Sequence, residues 1–160
     1  MSSGYILGIT RGHNGGACLV KDGEIVFAIA EERLTRLKYD GGPLASIILA
    51  REHIPKGEKL DYLVIAHTQR LENAGVIDYS GDDMYTGLCR KIGLLEDHPS
   101  NNNDKIIDLA DIHHKLHAAC AFYRSGFDKA IAVIIDGAGT FSTLQSDTFV
   151  NGEPEITFEV

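Results

Sequence analysis

Apolar and polar positions over residues 5–30 change in short runs separated by glycine-rich breaks. Residues 5–10 form a β-type run, and Arg11-Gly-His-Asn-Gly-Gly16 is a loop of residues that tolerate positive φ. Residues 17–21 resume an apolar strand. Asp22-Gly23 has the preferred chemistry of a tight hairpin turn, and residues 24–30 return as a third strand. The pattern predicts an antiparallel β-meander with a glycine loop at one end.

Residues 31–42 are densely charged, which is the usual signature of a solvated face. Glu31 and Glu32 are paired carboxylates, but neighbours on an extended chain face opposite ways, so at most one enters a cleft. Pro43 suits the first turn of a helix in which Ile47, Ile48, Ala50 and Ile54 form the apolar side, and Pro55-Lys-Gly57 stops it. Residues 60–66 read as a fourth strand ending at His67. Residues 82–93 predict a short helix with Met84, Leu88 and Ile92 inward, and residues 106–109 a short strand. The polar stretches around them fit a lid or a substrate-facing insertion.

The C-terminal part repeats the opening. Residues 130–136 are apolar on both faces, as buried strands are, and Gly137-Ala-Gly139 is a glycine turn. Residues 142–150 alternate, Asn151-Gly152 is a second hairpin signal, and residues 155–160 form a last strand. Two copies of one plan predict a duplicated fold whose lobes each present a glycine loop to a shared cleft. The expected class is α/β. Residues 1–128 are the first lobe, a mixed sheet with a three-strand antiparallel meander and flanking helices. Residues 129–160 are the opening meander of a second lobe, incomplete because a lone meander leaves a face uncovered.

Composition narrows the function classes. The 160 residues carry a formal net charge of -8, enough chain for a real core and the wrong sign for nonspecific nucleic-acid binding. No apolar run approaches a membrane span, and no signal-peptide pattern opens the chain. Cys18, Cys89 and Cys120 lack C-x-x-C spacing and read as free thiols of a cytoplasmic protein, with Cys120 as a small core residue.

Candidate chemistry concentrates at residues 111–140. His113 and His117 are four apart, so on a helix their imidazoles stack on one face. Such a pair alone also fits a plain solvent-facing helix, and the His-Glu-x-x-His pattern with the general base of a zinc peptidase is not present. The strand that follows ends in Asp136 beside Gly137 and Gly139, an arrangement that aims a carboxylate and backbone N–H groups at a phosphate or metal. Two imidazoles and a carboxylate suit a divalent metal: Fe(II) foremost, with Mn(II) or Zn(II) as alternatives. His114 is expected to point away from that face.

The two-copy plan resembles the actin, hexokinase and heat-shock ATPase superfold (ribonuclease H-like), in which glycine hairpins hold nucleotide phosphates between lobes. Gly137, Gly139 and Thr140 would then form a nucleotide-binding turn. More closely, the segments 12–23 and 30–38, and His113, His117 and Asp136-Gly137, resemble the N-terminal region of the O-carbamoyltransferases. That family tailors nodulation factors and antibiotics and is related to the tRNA threonylcarbamoyladenosine synthases. The resemblance implies transfer of a carbamoyl group from carbamoyl-adenylate, made from carbamoyl phosphate and ATP in another domain, to an acceptor hydroxyl.

It further implies a metal on His113, His117 and Asp136, with another aspartate ligand beyond Val160. His13 would be the base or acceptor-orienting group, and Lys38 a cation for phosphate or carbamoyl oxygen. Asn14 departs from the aspartate that relatives carry after the loop histidine. The second lobe and the adenylate-forming domain are not within these residues. The expected partners are therefore a small-molecule acceptor bearing a hydroxyl and a protein portion supplying the rest. The alternatives are a fragment, a split-gene subunit, or a degenerate copy kept as a non-catalytic metal- or nucleotide-binding module.

Overall fold

A computed structural model describes residues 4–12, 14–67, 84–97, 104–109 and 112–135. The chain divides into two compact units; of the described residues, those up to Leu109 belong to the first and 112–135 to the second.

In the first unit, β1 (Tyr5–Arg11), β2 (Gly16–Lys21) and β3 (Glu24–Ala30) form the expected meander. The β1–β2 and β2–β3 pairs are antiparallel, with Leu7 opposite Leu19 and Leu19 opposite Phe27. Asp22 and Gly23 both adopt positive φ, 51° and 87°, which matches the twist of the hairpin to that of its strands. Asp22 also ties down the chain ahead of β1, because its Oδ1 accepts the Gly4 N–H at 3.0 Å.

β4 (Tyr62–His67) lies parallel to β1 on its other side, and β5 (Ile106–Asp108) lies parallel to β4. The order is β3-β2-β1-β4-β5, a mixed five-stranded sheet. Tyr5, Leu7 and Ile9 of β1, with Leu19, Leu63 and Ile65, point to one face and are buried. The helix α2 (Leu44–Arg51) supplies Ile47 and Ala50 to that core, and α3 (Met84–Lys91) supplies Cys89. Each fully buried Leu or Ile contributes roughly 1.5–3 kcal/mol of transfer free energy. On the other face Ile6, Tyr62 and Ile107 remain exposed.

Several positions differ from the sequence reading, and Ile48, expected on the apolar side of its helix, is exposed. Met84 is exposed, because α3 begins there and its buried positions are Thr86, Cys89 and Arg90, with Leu88 and Ile92 packed at the core edge. Glu31 and Glu32 do not lie on extended chain. They form the first turn of a short helix, α1 (Glu31–Thr35), which stops where Arg36 takes φ 63° and returns its N–H to the Glu32 carbonyl.

The second unit contains α4 (His113–Ser125), closed by Gly126 at φ 74°. Its buried residues are His113, Ala118 and Phe122. Cys120 is exposed and is no core residue, since a position midway between Ala118 and Phe122 faces the opposite side of a helix. Residues 130–135 pair with no strand among the described residues, and Ile131, Val133 and Ile135 are 90%, 79% and 93% exposed. The strands expected to pair with them, 142–150 and 155–160, lie outside the described residues.

Candidate functional site

Backbone hydrogen bonds tie the glycine loop after β1 to neighbouring segments. Gly12 donates its N–H to the Gly41 carbonyl at 3.1 Å, Gly15 donates to Asp40 at 2.7 Å, and Gly15 in turn accepts the Glu31 N–H at 2.8 Å. A Cβ on Gly41 would sit 1.6 Å from the Gly12 carbonyl oxygen, so the two chains cross where no side chain fits. Gly12 itself has φ 112°. His13 lies outside the described residues, between two exposed neighbours, Gly12 and Asn14.

The segment that receives this loop begins at α1. The Glu31 carboxylate is 1% exposed and accepts the N–H groups of Ala45 at 2.7 Å and Ser46 at 2.8 Å. Those are first-turn donors of α2, which have no carbonyl partner within their own helix. Pro43 precedes them and offers no side-chain acceptor. Glu31 therefore closes α2 with a carboxylate from another helix. Glu32 is spent differently, pairing with Arg33 at 3.2 Å and accepting the Tyr39 N–H at 3.3 Å.

Lys38 is exposed on the turn that follows α1. Its Nζ stands 5.1 Å from the centroid of the Tyr39 ring. Arg36 and Tyr39 flank it with positive φ, 63° and 61°. At the end of β1 the Arg11 guanidinium lies 5.9 Å from the Tyr85 ring centroid.

In the second unit, α4 brings the paired histidines together. His113 is buried, His117 is exposed, and their Nε2 atoms are 3.1 Å apart with rings edge to face. Two nitrogens each about 2.1 Å from one ion lie about 3.0 Å apart at a right angle and about 3.4 Å apart at the tetrahedral angle. The observed 3.1 Å lies between these two values and is also the length of a hydrogen bond between imidazoles. Without an ion, one Nε2–H donates to the other nitrogen. His114 sits beside them, its ring 5.5 Å from that of His113, and takes no part in the 3.1 Å contact. An open groove beside His117 is lined by Ala118, Ala121 and residues 131–135.

Of the expected site residues, the structure thus brings His113 and His117 into contact and puts Lys38 on the first unit. Asp136, Gly137, Gly139 and Thr140 lie outside the described residues, as does His13. Among the described residues no group of three or more His, Cys, Asp or Glu side chains converges as a metal site. Tyr39 and Gly41 carry no chemistry that the sequence singles out, and Glu31 stands out there only as one of a pair of carboxylates.

Comparison with known proteins adds a relationship to this geometry. A family model described as carbamoyltransferase N-terminus matches residues 5–108. An uncharacterised protein of Synechocystis is 33% identical over 162 aligned residues, covering 87% of this chain and 26% of its own length. The nodulation protein NolNO of Sinorhizobium fredii is 32% identical, covering 82% of this chain and 20% of its own length. An uncharacterised protein of Methanocaldococcus jannaschii is 29% identical, with 84% and 22% covered. The chain spans about a quarter or less of the length of these relatives.

Proposed function

The chain belongs to the carbamoyltransferase N-terminal family, and on that premise we propose that it is the N-terminal part of an O-carbamoyltransferase. The reaction is transfer of a carbamoyl group from carbamoyl-adenylate to an acceptor hydroxyl. Carbamoyl-adenylate is made from carbamoyl phosphate and ATP by a portion of the enzyme outside these residues. The observation that carries this reading is the family match over residues 5–108, which includes the loop of His13 and the turn of Lys38. We read the five-stranded unit as one lobe of the actin/hexokinase type. Its order, an antiparallel meander extended by two parallel strands, supports that reading.

A hydroxyl is a poor nucleophile at neutral pH and needs a base within hydrogen-bond reach. His13 takes the hydroxyl proton as the acceptor oxygen attacks the carbamoyl carbon. The bond from that carbon to the adenylate phosphate oxygen breaks, and AMP leaves with the electron pair. Lys38 offers a point charge to the carbamoyl oxygen or the departing phosphate. Gly12 and Gly15, on either side of residues 13 and 14, are bonded to Gly41 and Asp40, and this backbone lacing next to the Lys38 turn supports reading the two segments as parts of one site. Fixing both groups before reaction lowers the barrier through orientation.

His113 and His117 would hold a divalent metal, with Asp136 as the third ligand from this chain. Their nitrogen spacing fits such an ion. When bound, it supplies Lewis-acid polarisation of an oxygen. Gly137, Gly139 and Thr140 would face nucleotide phosphate. The acceptor is a small molecule with a free hydroxyl, and a second protein supplying the missing portion is the other expected partner. Among the described residues no helix is long and apolar enough to cross a membrane.

The test joins this chain to the portion that completes its relatives' length and follows carbamoyl transfer to a panel of hydroxyl acceptors. His13→Asn should abolish transfer while carbamoyl-adenylate still accumulates. Undiminished product from His13→Asn removes His13 from the mechanism. Failure of every assembled form to transfer would favour a non-catalytic metal- or nucleotide-binding module.

A further inference from the structure

Tyr39 occupies a backbone region that its side chain disfavours. At φ 61° the Cβ of an ordinary residue crowds its own carbonyl, a penalty of order tenfold in population. Such a conformation persists only where its surroundings over-determine it. Here they do. The Tyr39 N–H is held by the Glu32 carboxylate at 3.3 Å, and the Asp40 N–H closes a turn onto the Leu37 carbonyl at 3.3 Å. Immediately beyond, Asp40 and Gly41 are bonded to the glycine loop at 2.7 and 3.1 Å.

Core packing does not account for the strain, because the Tyr39 side chain is 57% exposed. What the strained backbone achieves is a placement: the ring lies 5.1 Å from the Lys38 ammonium. That is within the range in which the negative face of an aromatic ring attracts a cation. A lysine on an exposed turn otherwise samples many rotamers, and it has three donors to offer. One side of the ammonium turned to the ring leaves the remaining donors for an oxygen.

We propose that Tyr39 is a positioning residue, which holds the Lys38 ammonium over its ring so that the charge is set before carbamoyl transfer. This rests on the reading above, in which Lys38 faces the carbamoyl or phosphate oxygen. Tyr39 acts through Lys38 and touches no reacting atom. Its hydroxyl is not required for the contact, and its ring is.

Two variants separate the ring from the backbone. Tyr39→Asn removes the ring but suits positive φ, and Tyr39→Phe keeps the ring. In the assembled transferase, Tyr39→Asn should melt no earlier than the parent while kcat falls about two- to fivefold and the acceptor KM holds. Tyr39→Phe should restore kcat. In NMR spectra of this chain, the Lys38 ε-protons should carry an upfield ring-current shift in the parent and in Tyr39→Phe, lost in Tyr39→Asn.

Parental kcat in Tyr39→Asn, or an activity loss that only tracks lost stability, overturns the proposal. Lys38→Ala is the control on the reading beneath it. If Lys38→Ala is inactive and Tyr39→Asn turns over as the parent, only the role of Tyr39 fails. If Lys38→Ala transfers at the parental rate, the assignment of Lys38 fails with it.

Discussion

The Glu31 carboxylate accepts the Ser46 N–H at 2.8 Å, fifteen residues along the chain and at the open end of a different helix. The same group takes the Ala45 N–H at 2.7 Å, so one buried charge satisfies two first-turn donors of α2. The positive end of the α2 dipole faces that carboxylate. Because Glu31 also donates its own N–H to Gly15, it joins the meander, the glycine loop and the helix on the core.

Glu31→Ala should therefore destabilise the first unit by about 2–3 kcal/mol, combining a lost helix cap with two lost charge-assisted hydrogen bonds. Glu31→Gln, which keeps one acceptor oxygen, should cost less. Urea unfolding of the two variants measures the difference. A change below about 0.5 kcal/mol for Glu31→Ala would show that water replaces the carboxylate.

Gly41→Ala should cost about 2–3 kcal/mol, because the added methyl meets a backbone carbonyl that cannot rotate away. Gly87 is the contrasting case. It lies within α3, and a Cβ there meets nothing within 4 Å. Gly87→Ala should stabilise by up to about 1 kcal/mol through helix propensity alone. Thermal melts of both variants check the signs, and equal effects would contradict the backbone crossing.

Titration of the chain with Co(II) should give absorption bands of a nitrogen-ligated ion, and His117→Ala should weaken binding at least tenfold. His117 is exposed, so its removal should leave the helix content seen by circular dichroism unchanged. His113 is buried at 8% exposure, and His113→Ala should lower stability as well as affinity. Retained cobalt bands in a double alanine variant would place the ion elsewhere.

The cysteines should alkylate in a fixed order. Cys120 is exposed and should react first, and Cys89 is buried and should react only on unfolding. Burial pushes the Cys18 thiol above its ordinary range. A raised value means less thiolate at a given pH, so Cys18 should stay slow through neutral pH and speed up at a higher pH than an ordinary thiol. Mass spectrometry after timed iodoacetamide exposure at several pH values reads all three. Early labelling of Cys18 near neutrality would contradict its partial burial in β2.

Sequence by itself determined the features whose causes are local. Short β-type runs and the Asp22-Gly23 pair specify the meander, since run length and a positive-φ turn are properties of adjacent residues. Helical periodicity likewise puts His113 and His117 on one face, and their nitrogens meet at 3.1 Å. Tertiary structure decided what depends on groups distant in sequence. The parallel insertion of β4 beside β1 needs a crossover that no local pattern states. The burial of Glu31 against α2 reverses the solvated reading of its charged run, because the donors that make a buried carboxylate tolerable come from another element. Gly41 is glycine because Gly12 passes across it. The positive φ of Tyr39 and the Lys38 ammonium over its ring are likewise properties of the folded turn. Period and turn chemistry are written within a few residues, whereas desolvation, close approach and strain belong to pairs that only folding brings together.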